Sequence, residues 1–128
     1  MNSENNQYSD LKLLNLKQSN KIYSIEEIKN IARQIFNKYN FKKVYLFGSY
    51  ARGEATKMSD IDIMVVGGNI DTSMNLSDFV LELVKIFKKE IDIVKEENYT
   101  KKDDNEFFDL ANKIFYNVVK KERVLIYG

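Results

Sequence analysis

A glycine-serine turn and a pair of aspartates are the residues of this sequence best suited to chemistry. Gly48-Ser49 follows the apolar run that ends at Phe47, and after ten further residues Asp60 and Asp62 stand at the head of the next apolar run. Gly48 lets the backbone approach a ligand closely, and free amides at the start of a helical turn attract phosphate. Carboxylates two apart in a strand project to the same side and can hold divalent metal. Together the two elements predict a site for a metal–nucleotide complex.

A third acid repeats the pattern, since Asp92 lies between Ile91 and Ile93 in a later apolar run. If that strand lies beside the strand of the Asp pair, three carboxylates converge, which is unfavourable unless protons or cations neutralise them. Two divalent ions about 3.5–4 Å apart can activate an attacking oxygen and stabilise a leaving one. Each of these features alone has an ordinary explanation; an aspartate at the start of a strand, for example, is often simply solvated. It is the specific interval between the Gly-Ser turn and the Asp pair that favours a site.

The amino-acid composition further limits which residues can act as a base or bind a metal. The 128 residues contain no His and no Cys, so a general base must be a carboxylate, Lys or Tyr, and oxygen ligands favour Mg²⁺ or Mn²⁺ over zinc. The net charge of +1 predicts no extended nucleic-acid surface. No apolar run approaches the roughly 20 residues of a membrane span. The missing cysteines and apolar leader favour a cytoplasmic protein.

Apolar periodicity predicts one small α/β or α+β domain over residues 21–128. Residues 1–20, rich in Asn, Ser, Gln and Lys, are predicted to be a flexible N-terminal extension, with one helical turn at 11–16. Ser24 and Glu27 form a capping box at the start of the first long helix. We expect helices at 24–39, 76–87 and 104–121, and strands at 43–47, 60–66, 90–94 and 124–127.

The last long helix carries an apolar face. We expect this face to complete a core. The alternative is that a leftover patch on it serves as a surface for a partner. Its members are Phe107, Leu110, Ala111, Ile114, Phe115 and Val118.

The site residues together resemble the minimal nucleotidyltransferase family of the DNA polymerase β-like superfamily. That family's motif is Gly-Ser, ten residues, Asp-x-Asp, and a third carboxylate on a later strand. Gly48-Ser49, Asp60-Ile61-Asp62 and Asp92 fit it without a gap, and Ala51-Arg52-Gly53 and Ser59 are also typical. The resemblance covers about residues 22–127 and implies a small mixed sheet flanked by helices.

The resemblance also implies transfer of AMP from ATP to an acceptor hydroxyl, with pyrophosphate leaving and two Mg²⁺ ions, or Mn²⁺, as cofactors. Asp92 would also act as the base on the acceptor. For Arg52 the competing role is a salt bridge to a carboxylate such as Glu54. The implied catalytic and metal-binding residues are Asp60, Asp62 and Asp92, and the nucleotide-binding residues are Gly48, Ser49, Arg52 and Ser59.

Free-standing family members of this size resemble antitoxins that pair with a helical HEPN ribonuclease toxin and silence it by adenylylating a toxin tyrosine, a type VII toxin–antitoxin pair. A HEPN-type toxin is therefore the leading partner, and a homo- or hetero-oligomer is expected. Two alternatives stay open, and a third, nucleotidyl transfer to tRNA or other RNA, is disfavoured by the near-neutral charge and the small size. One is an aminoglycoside- or lincosamide-type nucleotidyltransferase, with Glu96, Glu97, Asp103 and Asp104 around a cationic substrate. The other is a non-catalytic partner-binding module, which would keep its biological activity after Asp60→Asn.

Overall fold

Four strands form a mixed sheet in residues 10–128, the part of the chain that this computed structural model describes. The order across the sheet is β3-β2-β1-β4, with β1 antiparallel to both β2 and β4, and β2 parallel to β3. This confirms the predicted fold class. The strands are β1 (Phe41–Phe47), β2 (Ile61–Gly67), β3 (Ile91–Lys95) and β4 (Val124–Tyr127).

Six helices accompany the sheet within the same residues. The predicted capping box is present, because Ser24 Oγ accepts from the Glu27 N–H at 3.1 Å and Glu27 Oε1 accepts from the Ser24 N–H at 2.9 Å. The helices are α1 (Asp10–Leu13), α2 (Ile25–Lys38), α3 (Gly48–Arg52), α4 (Ser73–Phe87), α5 (Glu97–Thr100) and α6 (Glu106–Glu122). None of them is long and apolar enough to cross a membrane.

The larger core lies between one face of the sheet and helices α2 and α4. Phe36 of α2 and Phe79 of α4 are fully buried there, with ring centroids 6.2 Å apart. The sheet contributes alternate residues of its central strands, as the two-residue period of a strand requires. They are Val44 and Leu46 of β1, and Ile61, Ile63 and Val65 of β2.

The opposite face of the sheet is covered by α5 and α6 through a smaller core. Arg123 fixes the end of α6 there, because its guanidinium lies 3.8 Å from the Tyr45 ring centroid and donates to Glu96 Oε2 at 2.7 Å. The members of this core are Phe47, Met64 and Val119, with Tyr45, Val94, Tyr99, Phe115 and Tyr116 packed against them.

Most of the apolar face predicted on α6 points away from this core. Phe115 packs inward, but the remaining large side chains are 55–73% exposed, so the expectation that the face completes a core is wrong. The helix has two apolar sides, and periodicity alone does not tell which side packs. We call the outward side the α6 stripe, defined as Phe107, Leu110, Ile114 and Val118.

The predicted N-terminal extension lies partly outside the described residues, which begin at residue 10. Its described part lies against the start of β3. Leu11 is buried and its N–H donates to Glu90 Oε1 at 2.9 Å, and the Ser19 N–H donates to the Lys88 carbonyl at 2.9 Å. Residues 10–20 therefore pack on the domain, and the predicted boundary at residue 20 stays a prediction.

Candidate active site

The parallel pair of strands β2 and β3 brings two of the predicted acids together. Asp62 and Asp92 are register partners, and neighbouring strands lie about 4.8 Å apart. Side-chain alternation places both on the face covered by α6, with Asp62 half-buried and Asp92 exposed. The expectation that the two strands are neighbours is confirmed.

The third acid, Asp60, stands immediately before β2, where the negative charges of Glu90 and Asp92 act on it. The chain enters β2 through the Ile61 N–H, which donates to the Glu90 carbonyl at 3.0 Å. Burial raises the pKa of Asp60, and the charges of Glu90 and Asp92 raise it further. Asp60 is therefore part of one acidic cluster with the strand pair.

Burial and like charge act most strongly on Asp62. Burial comes first, followed by the charges of Asp92 and Asp60, and together they raise the pKa of Asp62 to about 7, while Arg52 acts in the opposite direction. A carboxylate whose ionised form is this unfavourable is stabilised by any cation placed beside it. The cluster therefore has the electrostatic character of a cation site.

The donor set fits a hard divalent ion, because every acidic side chain offers oxygen alone, as Mg²⁺ and Mn²⁺ prefer. The geometry does not yet match, since no three acidic side chains in residues 10–128 are placed so that they could hold one ion. Repulsion between carboxylates whose charge no cation neutralises favours this separation of the acidic side chains. The acids must draw closer together to share an ion.

The glycine-serine turn lies in direct contact with this cluster. Gly48 opens α3 with φ 73°, and a Cβ built on it would lie 2.2 Å from Asp62 Oδ2. The left-handed backbone favours glycine here, and a Cβ would also displace the Asp62 carboxylate. The N-cap residue of α3, Phe47, makes no side-chain cap hydrogen bond. The structure therefore brings together the two elements whose spacing predicted a site.

Arg52 and Ser59 have structural partners. Arg52 Nε donates to Glu54 Oε1 and its Nη1 donates to Glu122 Oε2, both at 2.7 Å. Ser59 Oγ accepts from the Thr56 N–H at 2.8 Å. Arg52 thus joins α3 to the end of α6, and Ser59 closes a turn in the loop before β2. Their roles in nucleotide binding stay predictions.

Lys89 supports the site, and sequence reasoning missed it. It is fully buried, and its Nζ donates to the Ser19 carbonyl at 2.8 Å and to the Lys57 carbonyl at 2.6 Å. It therefore ties the N-terminal segment and the loop that leads to Asp60 to the start of β3. No sequence signal separates it from Lys88, its exposed neighbour.

The fold and the site together define a nucleotidyltransferase. The chain belongs to the nucleotidyltransferase domain family, whose model matches residues 25–122. That range contains every predicted site residue, so the recognised family and the enzyme class are confirmed.

Two relatives from Methanocaldococcus jannaschii bear the name putative protein adenylyltransferase. The chain is 38% identical to the first over 71 residues, which is 56% of this chain and 76% of that protein. It is 37% identical to the second over 81 residues, which is 59% of this chain and 81% of that protein.

Solved structures share the fold. A crystal structure of a toxin–antitoxin with AMP-PNP superposes with a TM-score of 0.58 at 19% identity, over 78% of this chain and 73% of that chain. The structure of a putative minimal nucleotidyltransferase gives a TM-score of 0.57 at 22% identity, over 80% of this chain and 95% of that chain. Both show the same architecture of a mixed sheet with flanking helices.

Proposed function

We propose that this chain transfers AMP from ATP to a hydroxyl of a partner protein, and that the acceptor is a tyrosine of a HEPN-type ribonuclease toxin. The chain would then be the cytoplasmic antitoxin of a type VII pair. The observation that carries the proposal is the contact between the Gly48 turn and Asp62, beside its register partner Asp92. The names of the relatives and the fold shared with a toxin–antitoxin support the nucleotide and the partner class.

In the proposed reaction the acceptor oxygen forms a bond to the α-phosphorus, the bond to the β-phosphate oxygen breaks, and pyrophosphate leaves. Asp92, the exposed acid of the pair, takes the proton of the acceptor hydroxyl. The backbone amides of Gly48 and Ser49, at the start of α3, would hold the β- and γ-phosphates. Mg²⁺ held by Asp60, Asp62 and Asp92 would neutralise charge on the triphosphate.

Two of the four acids suggested for a cationic small-molecule substrate, Glu96 and Asp103, already have partners. Glu96 Oε2 accepts from Arg123 at 2.7 Å and from the Tyr116 hydroxyl at 2.9 Å. Asp103 Oδ1 accepts from the Asn105 N–H at 2.8 Å, at the start of α6. These carboxylates stabilise the packing of α6, which favours a protein acceptor over an antibiotic.

The test uses ATP labelled at the α-phosphate, Mg²⁺ and an extract of the source cells. Transfer of AMP labels one protein band with the wild type, whereas Asp62→Asn and Asp92→Asn give none. Asp71→Asn is the matched control, because Asp71 is 85% exposed and lies outside the cluster. ATP labelled at the γ-phosphate should leave this band without label above the background seen with Asp62→Asn, because pyrophosphate leaves, and chelation of Mg²⁺ abolishes transfer. Mass spectrometry of the band identifies the protein and the modified residue.

Other outcomes separate the alternatives. Label on a small molecule alone would support the antibiotic-type enzyme. Label on a protein unrelated to a ribonuclease, or at a residue other than tyrosine, would contradict the proposed acceptor and leave the chemistry intact. If nucleotide binds and no label appears anywhere, the chain is the non-catalytic module.

A further inference from the structure

One edge of the sheet is open next to the acidic cluster. Strand β3 is the last in the order β3-β2-β1-β4, and no strand within residues 10–128 pairs with its outer side. Asp92 is the second residue of this strand and is exposed. The open edge and the candidate active site therefore form one continuous surface.

The hydrogen bonds between β2 and β3 determine which backbone groups of β3 point outward. The Glu90 carbonyl accepts from the Ile61 N–H at 3.0 Å, and the Glu96 N–H donates to the Val65 carbonyl at 2.9 Å. In a parallel pair the N–H and C=O of one residue point to the same neighbouring strand, and those of the next residue point away from it. Even-numbered residues of β3 therefore face β2. The residues whose N–H and C=O groups point outward are Ile91, Ile93 and Lys95.

An open strand edge of this kind is complementary to an extended chain. Its outward N–H and C=O groups alternate as donors and acceptors, and a strand that lies beside them satisfies all of them. A helix is not complementary to such an edge, because its own backbone groups are bonded within the helix. The edge of β3 therefore selects an extended peptide segment.

A groove of about 320 Å³ accompanies this edge. Its lining includes Leu76 and Ile93, which pack on the larger core, and Val94 and Tyr99, which pack on the smaller core. Because the two cores lie on opposite faces of the sheet, the groove wraps around the free edge of β3. It offers space for side chains from both faces of an added strand.

A second copy of this chain fits the edge poorly. Two β3 strands paired antiparallel through their outward groups set like charges opposite each other in every register. The opposed pairs are Glu90 with Asp92, Asp92 with itself, Glu90 or Asp92 with Glu96, and Lys95 with itself. Like charges directly opposite destabilise a strand pair. The charges of β3 therefore act against self-pairing and favour a different chain.

We propose that the segment of the acceptor protein that carries the acceptor hydroxyl binds to this edge as a fifth strand. An added strand lies about 4.8 Å from β3 and directs every second side chain to the face of Asp92. The acceptor residue lies on that face, next to the proposed base. Its two neighbours in the segment then point to the face of Leu76 and Ile93, where apolar side chains fit. The inference rests on the proposed transfer reaction and specifies how its acceptor is held.

The first test uses the acceptor protein that mass spectrometry of the labelled band identifies. Lys95→Pro removes one outward N–H, and an edge strand tolerates proline because no hydrogen bond within the sheet is lost. Lys95→Ala is the matched reference, because it loses the same side chain, with its ion pair to Asp71 at 3.6 Å, and keeps the N–H. We expect kcat/KM for the acceptor to be about tenfold lower in Lys95→Pro than in Lys95→Ala, with equal KM for ATP. Circular dichroism and urea unfolding establish that both variants are folded.

The second test changes the acceptor and leaves the enzyme as it is. Synthetic peptides that contain the modified residue carry an N-methyl group at one backbone nitrogen at a time. An N-methyl group directed at β3 prevents strand pairing, whereas one directed at solvent does not. Transfer of AMP to the peptide should therefore fall at every second position, a pattern that binding through side chains alone does not produce.

Hydrogen exchange, followed amide by amide by NMR, tests whether the edge is open before the acceptor binds. The amides of Asp92 and Val94 face β2 and should exchange slowly, whereas those of Ile93 and Lys95 should exchange fast. Binding of the acceptor protein should slow the outward pair. Slow exchange of Ile93 and Lys95 without acceptor would overturn the inference, because residues 1–9 or a second copy would then cover the edge.

Other results would overturn the inference and leave the transfer reaction intact. One is an acceptor that is labelled with the same kcat/KM by Lys95→Pro and Lys95→Ala. Another is an N-methyl effect without a period of two residues, or an unmodified peptide that receives no label. A wild type that labels no protein would refute the proposed transfer and this inference together, so the two failures are distinguishable.

Discussion

Replacing Lys89 by Met tests whether one buried ammonium group holds the acidic site together. Lys89 donates to the carbonyls of Ser19 and Lys57, and Lys57 lies in the loop that leads to Asp60. Methionine has a similar length but offers no donor. We expect the N-terminal segment and the loop to loosen together in this variant, with the rest of the sheet retained.

The expected change in the free energy of unfolding is the balance of opposing contributions. Hydrogen bonds from a charged donor contribute about 1.5–3 kcal/mol each, and a buried carbonyl left without its donor costs about 1–3 kcal/mol. Removing the ammonium also removes its desolvation penalty, which is several kcal/mol for a buried ion. We expect a net loss of about 2 kcal/mol in the free energy of unfolding, or roughly 8 °C in Tm.

Urea unfolding and hydrogen exchange measure these effects separately. Amides of residues 10–20 and 54–60 should exchange faster in Lys89→Met than the global loss of stability explains. Lys88→Met is the control, because Lys88 is exposed, and it should match the wild type. Wild-type stability in Lys89→Met, or equal effects in the two variants, would refute the reasoning. Transfer of AMP should fall in Lys89→Met, because Asp60 is held less firmly.

Two further predictions concern the turn and an ion pair on the far side of the sheet. Gly48→Ala should lose about 2 kcal/mol of stability and most transfer activity, since the left-handed backbone strains any Cβ and the Asp62 carboxylate would have to move away from it; wild-type urea stability would contradict this. Hydrogen bonds from Lys38 and then Tyr39 lower the pKa of Glu82 from its ordinary value of 4.5. These bonds therefore stabilise the folded state fully above pH 4.5, and this stabilisation is lost as pH falls through the folded pKa. Glu82→Gln should cost about 1 kcal/mol at neutral pH and nothing in acid, and an equal loss at both pH values in urea unfolding would exclude this cause.

Local patterns predicted most of the fold. The capping box at Ser24 and Glu27 and the apolar alternation of β2 are short-range signals, and the structure has both. The start of β1 at Phe41, two residues before the predicted start at Lys43, was missed, because Lys42 is exposed and looks like a loop residue. The packing of residues 10–20 was not predicted, because it depends on Leu11 and on hydrogen bonds of Ser19 with the distant Lys88 and Lys89, which the polar local sequence does not reveal.

The parts of the site that depend on sequence spacing were predictable, and the parts that depend on distant partners were not. The interval between Gly48 and the Asp pair predicted a contact that the structure contains. The partners of Arg52 and Lys89, by contrast, include residues 70 positions away in the chain. Charged side chains in polar segments give no sign of such partners, because a solvated lysine or arginine has the same local sequence.

The contact of residues 10–20 with the start of β3 sets an order for assembly during synthesis. Leu11 and Glu90 are 79 positions apart, and ribosomes add about 5–20 residues per second. The segment therefore waits on the order of several seconds before its docking surface exists. Contacts at this separation close late, because they carry a large loop-closure entropy. Lys89 donates both to Ser19 of this segment and to Lys57 in the loop before Asp60, so docking of the segment also completes the contacts of the lysine that holds this loop.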